Sequence, residues 1–154
     1  MKTNLKKIAA SLMAVATITS GAMGISASAA NTDDKYFNDF SITPSTSWTR
    51  LFQTDSKQDT SYVYLYVSSA SRAMRVHTLG ISSSDGSKHN CTSNTSGAYC
   101  VAGPEYRITN TIYEDSYRKA DLEFYSVSGY YGDRISGAWS PDSYAVAGHY
   151  YNYV

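Results

Sequence analysis

The segment TSYVYLYVSS, residues 60–69, alternates two kinds of side chain. Tyr62, Tyr64 and Tyr66 fall on one side, and Val63, Leu65 and Val67 on the other. Successive side chains of an extended strand point to opposite faces. The segment therefore predicts a strand with an aliphatic face and a tyrosine face, the aliphatic one turned to the core.

The same rhythm recurs with less regularity. Tyr36–Ile42, Trp48–Phe52, Tyr99–Val101 and Tyr106–Ile108 are short strand candidates, and Ile112-Tyr113 continues the last of them. Ala73–Ile81 alternates until a phase slip before Gly80, which predicts a β-bulge. Residues 117–126 are open to two readings. Tyr113, Tyr117, Ala120 and Phe124 recur at helical spacing, whereas Ala120, Leu122 and Phe124 recur at strand spacing, and the neighbouring pattern favours the strand. Ile135–Trp139 reads as a strand and Ser140–Ser143 as a turn with Pro141 at its second position. Tyr144–Val154 reads as a closing strand. Short runs separated by Gly, Ser and Pro predict an all-β chain: a single antiparallel β-sandwich or barrel-like domain over 36–154, behind a polar, disordered lead at 30–35.

The first 29 residues have a different character. Lys2, Lys6 and Lys7 precede the apolar run IAASLMAVATI, and Ala27-Ser28-Ala29 follows. A basic start, a short apolar run and A-x-A predict a secretory signal cleaved between Ala29 and Ala30. The run is about half the roughly 20 residues that span a bilayer, so no stable membrane insertion is expected after cleavage. The full chain has 13 basic and 13 acidic side chains; losing three lysines leaves 10 against 13, a net charge of −3. That balance argues against nucleic acid as a partner. The expected localisation is extracellular.

Two segments resemble a known kind of protein. GPEYRITNTIYEDSYRKADL (103–122) carries Y-x-I-x-N-x-x-Y-E, and ISGAWSPDS (135–143) carries S-G-x-W-S-P-D-S. Together they resemble small secreted proteins of Gram-positive bacteria that have no established function. The resemblance implies an exported chain and brings no catalytic residues with it.

Chemistry-bearing residues are sparse. Cys91 and Cys100 enclose a polar loop, and in an exported chain they predict a disulfide. His77, His89 and His149 have no ligand spacing, so neither a metal site nor a cofactor is expected. No G-x-S-x-G occurs, and Glu114-Asp115, Asp121 and Glu123, and the run Asp55–Asp59 read as solvated charges. The outlier is tyrosine, with 15 copies, all beyond residue 35. Its apolar ring and polar tip suit both core filling and recognition. Tyr130, Tyr131 and Trp139 are the candidate binding residues. Trp139 has a second reading, as a buried ring anchoring a corner at Trp139–Ser143.

The expected function is non-enzymatic binding at or outside the cell surface. A wall glycan, a surface protein or a competitor cell would be the target. The alternative is a small hydrolase with dispersed catalytic residues, recognisable by a pocket holding a histidine beside a carboxylate and a hydroxyl.

Overall fold

The computed structural model describes residues 32–43, 47–127, 132–144 and 149–154. All regular structure among them is β. One sheet has the order β1-β10-β4-β8-β11, formed by β1 (Lys35–Ile42), β10 (Asp133–Ser143), β4 (Tyr62–Ala70), β8 (Glu105–Ile108) and β11 (Asn152–Tyr153). The other centres on β9 (Lys119–Ser126) and β5 (Met74–Ile81). Against these lie β2 (Thr49–Arg50), β3 (Asp55–Ser56), β6 (Lys88–Asn90) and β7 (Ala98–Cys100). The pairings are antiparallel except that of β11 with β8, which is parallel. The closing strand predicted over 144–154 is thus reduced to a two-residue edge, and 145–148 lie outside the described residues.

The core forms where the aliphatic faces of the two sheets meet. Val63, Leu65 and Val67 of β4 are fully buried, as the alternation predicts. They join Val76 of β5, Ala120, Leu122 and Phe124 of β9, and Ile135 and Trp139 of β10 in one cluster. Residues 117–126 resolve as strand from Lys119 onward because β9 is paired on both sides, by β5 and by β2 with β3. The helical spacing of Tyr113 and Tyr117 has its own source. Ile112–Ser116 form a tight turn, closed by the Asp115 N–H on the Thr111 carbonyl at 2.8 Å.

No bulge interrupts β5: its register against β9 runs unbroken from Met74↔Ser126 to Gly80↔Ala120. The apparent phase slip arises because His77–Ile81 are buried on both faces. Gly80 fits beneath the Tyr117 ring and the Cys91 sulfur, where an added Cβ would sit 2.4 Å from the ring.

The predicted turn at Ser140–Ser143 is instead the end of β10. Ser140 faces Tyr64 and Ser143 faces Tyr62, so one extra residue is accommodated as a bulge around Pro141. Pairing with β1 stops at Lys35↔Trp139, so the N–H that proline lacks is not required there.

The charged run at 55–59 is not a solvated turn. Asp55 and Ser56 pair with β9, and Lys57 is buried against Asp142. Asp121 and Glu123 are buried as well: Asp121 accepts from Arg50 Nε at 2.8 Å, and Glu123 from His77 and Lys88. Glu114 and Asp115 do stand exposed in their turn.

Cys91 and Cys100 do not form the predicted disulfide; both are buried free thiols. Cys100 pairs opposite Met74, whereas the Cys91 N–H bonds the Thr78 carbonyl, four residues along the same strand. At about 3.3 Å per residue that is roughly 13 Å, beyond the reach of a disulfide. Burial pushes the Cys100 thiol up to about 12. Two thiols are expected to label in the unfolded, unreduced protein and none promptly in the folded one. Absence of label after unfolding without reductant would contradict this placement.

Candidate binding site

The tyrosine face of β4 is the outer face of its sheet. Tyr62 is exposed, and Tyr64 and Tyr66 are half-buried. Pairing with β8 sets Arg107 opposite Tyr64 and Glu105 opposite Tyr66, on that same face. On the far side of β8, β11 sets Tyr153 opposite Arg107. Two clefts adjoin here and share Ser143 and Tyr144 as a common wall. One, of about 400 Å³, has Tyr62, Tyr153, Arg107 and Asp59 in its walls. The other, of about 280 Å³, has Tyr64, Tyr151, Asp34, Glu105 and His149. Five tyrosines that are scattered in sequence, at 62, 64, 144, 151 and 153, therefore converge on one surface. Tyr62 and Tyr153 meet edge to face, their ring centres 5.3 Å apart.

The first cleft carries both signs of charge. Burial opposes ionisation of Asp59, but hydrogen bonds from the Ser61 and Tyr144 hydroxyls and the Ser61 N–H, with the Lys57 charge, outweigh it and hold the carboxyl low. The Tyr144 phenol, bonded to Asp59, is correspondingly raised. Arg107 is 2% exposed and stacks on Tyr151, with Cζ 4.0 Å from the ring centre.

The second cleft is acidic. Burial, then the nearby Glu105 and Asp33 charges, raise the Asp34 carboxyl. Burial and the Glu105 and Asp34 charges likewise raise the Tyr64 phenol. His149 is exposed, with Nδ1 3.5 Å from Glu105 Oε2.

A second cluster lies on the outer face of the other sheet. His77 is 5% exposed, with Nδ1 3.0 Å from Glu123 Oε1 and Nε2 3.1 Å from the Thr95 carbonyl. Trp48 stacks on the imidazole at 3.4 Å. Both ring nitrogens and one ring face are thus occupied by the protein, and the cluster fastens the 91–97 loop to β5. Burial works against the Glu123 charge, but hydrogen bonds and charges from His77 and Lys88 outweigh it and lower the carboxyl. A lowered carboxylate stabilises the fold above its unfolded value and loses that contribution as pH falls through its folded value. Glu123→Gln is expected to flatten the stability profile as pH drops below about 4, read by urea unfolding. An unchanged acid limb would contradict the assignment.

The sequence-predicted binding residues fare differently. Trp139 is fully buried between the sheets, and its Nε1 donates to Gln53 Oε1 at 3.1 Å. It is a core residue and not an exposed platform, because it alternates in phase with Leu65, its partner on β4. Tyr130 and Tyr131 lie outside the described residues. Arg107, Asp34 and Glu105 were not singled out by sequence. Arg107 lies between the inward-facing Tyr106 and Ile108, so an outward direction was legible, but its tyrosine neighbours come from long-range pairing. Among the described residues no three His, Cys, Asp or Glu side chains are placed to hold a metal ion, and no helix is long and apolar enough to cross a membrane.

Fold and site together define an all-β domain with a tyrosine-walled double cleft on the outer face of one sheet. Residues 25–143 match the model of a family described as a protein of unknown function, DUF2712, and the chain belongs to that family. Neither the curated proteins nor the solved structures contain a match to it.

Proposed function

We propose that the chain is exported and acts outside the cell as a non-enzymatic binding domain, with a wall glycan held in the double cleft. The observation that carries this reading is the convergence of five tyrosines on two adjoining clefts. Aromatic faces take the C–H surface of a sugar ring, and phenol tips with nearby serines and carboxylates supply the hydrogen bonds that orient it. The lysine-led start and the A-x-A of residues 27–29 support export, as does the resemblance to small secreted Gram-positive proteins.

The test is capture of the purified protein by purified Gram-positive cell wall. Tyr62 and Tyr153 are substantially exposed, so Tyr62→Ser with Tyr153→Ser should leave unfolding nearly unchanged and reduce capture at least about tenfold. Full capture by the folded double variant would overturn the reading. For export, secreted material should begin at Ala30, and a secreted product beginning at Met1 would contradict cleavage.

One observation favours a second reading, a hydrolase. Asp34 is raised beside Glu105, with His149 in the same cleft, which is an arrangement a general acid could use. Binding is preferred because, among the described residues, the cleft pairs no hydroxyl with its histidine: His149 Nδ1 faces Glu105 Oε2 at 3.5 Å, and Ser140 Oγ donates to the Asp142 carbonyl at 3.1 Å. Release of reducing ends from wall glycan, abolished by Glu105→Gln, would establish the hydrolase instead.

A further inference from the structure

Arg107 holds a charge that the described residues do not satisfy. Its Nε and Nη2 are buried, with no hydrogen-bond partner among them. Leaving a guanidinium buried without hydrogen bonds is costly, and stacking on an aromatic ring offsets only a part of that. Tyr151 supplies the close stack, and Tyr62 stands farther off, 5.9 Å from Cζ. The acid lining the same cleft, Asp59, is engaged by Ser61, Tyr144 and Lys57 and makes no ion pair with Arg107.

Nε and Nη2 form one edge of the guanidinium fork, and their two N–H bonds match the two oxygens of a planar carboxylate, which reaches this solvent-closed edge on a local opening of the cleft wall. Asp59 is ionised in the same wall, so a singly charged anion suits the cleft better than a dianion such as phosphate, which Asp59 would repel. The remaining walls, with the Tyr62 and Tyr153 rings and the residues Ser61 and Ser143, suit a hydroxylated ring.

We propose that Arg107 binds the carboxylate of an acidic saccharide, whose ring lies against Tyr62 and Tyr153. This rests on the reading of the cleft as a glycan site.

The experiment is a titration of the purified protein with D-glucuronate and, separately, with D-glucose. It is followed by calorimetry and by the Arg107 Nε–Hε resonance of the ¹⁵N-labelled protein. Glucuronate should bind at least about tenfold more tightly than glucose and shift that resonance. Arg107→Met should erase the preference while raising the melting temperature, because an unsatisfied charge leaves the interior. A purely structural arginine would give a lower melting temperature on the same change. Equal binding of the two sugars at the cleft would overturn the carboxylate while leaving the glycan site standing. Binding of neither sugar, or an Arg107 resonance unmoved at saturating glucuronate, would overturn the proposal even should Arg107→Met fail to fold. Failure of the cleft itself is read separately, from wall capture by the Tyr62 and Tyr153 double variant.

Discussion

Trp139→Ala is expected to lower the unfolding free energy by about 3–5 kcal/mol. Trp139 is the largest of the fully buried side chains. It stands on β10 between the partners Lys35 of β1 and Leu65 of β4, so removing its ring opens a void between the two sheets. The surrounding strands are pinned by their ladders and cannot collapse far into that void, which places the cost toward the upper part of the range for large-to-small changes. The indole N–H bond to Gln53 is lost as well. Chemical unfolding measures the effect. A loss under about 1 kcal/mol would return Trp139 to the surface.

The second large effect concerns Lys57 and Asp142, both with side chains sealed from solvent. Lys57 Nζ donates to Asp142 Oδ1 at 2.7 Å and to the Ser61 carbonyl at 2.6 Å. Asp142 Oδ2 accepts the Gln58 N–H at 3.0 Å. The pair ties the 57–61 connection to the bulged end of β10. Lys57→Met strands the Asp142 carboxylate in the interior and is expected to cost about 3–5 kcal/mol. Lys57→Met with Asp142→Leu removes both charges and should cost clearly less than the two single changes added together. Strict additivity in urea unfolding would show that the pair is hydrated and uncoupled. Because Asp59 and Ser61 border the first cleft, Lys57→Met should also weaken wall capture.

The fold was legible wherever one face of a strand is buried and the other is not. Val63, Leu65 and Val67 against Tyr62, Tyr64 and Tyr66 is the clearest case. Alternation misled where both faces are covered. In β5 the core face is closed over Gly80 by Tyr117 and Cys91 and the outer face by Trp48 and the 91–97 loop, so buried residues run consecutively and resemble a slip of phase. Local turn chemistry misled at Pro141, because a proline also fits a bulge beside an unpaired edge. Charge was the least legible property. Lys57, Asp121, Glu123 and Arg107 look like surface residues by type, and each is buried by partners far away in sequence.

The candidate site shows the same division. The tyrosine ladder and the late tyrosines were each visible as groups. Their meeting depends on β8 lying between β4 and β11, a long-range topology that no local spacing encodes. The disulfide expectation failed for a related reason. Nearness in sequence placed Cys91 and Cys100 together, whereas β6 and β7 pair with different stretches of β5 and hold them apart.

The proposed function puts a wall glycan in the tyrosine cleft. Amide chemical-shift mapping of the labelled protein, titrated with soluble fragments of Gram-positive cell wall, tests it most directly. The perturbed amides are expected to cluster at Ser61, Tyr62, Arg107, Ser143, Tyr144 and Tyr153, and the His77–Glu123 face is expected to stay unmoved. Perturbations centred on His77 and the 91–97 loop, or none at all at saturating wall fragment, would contradict it.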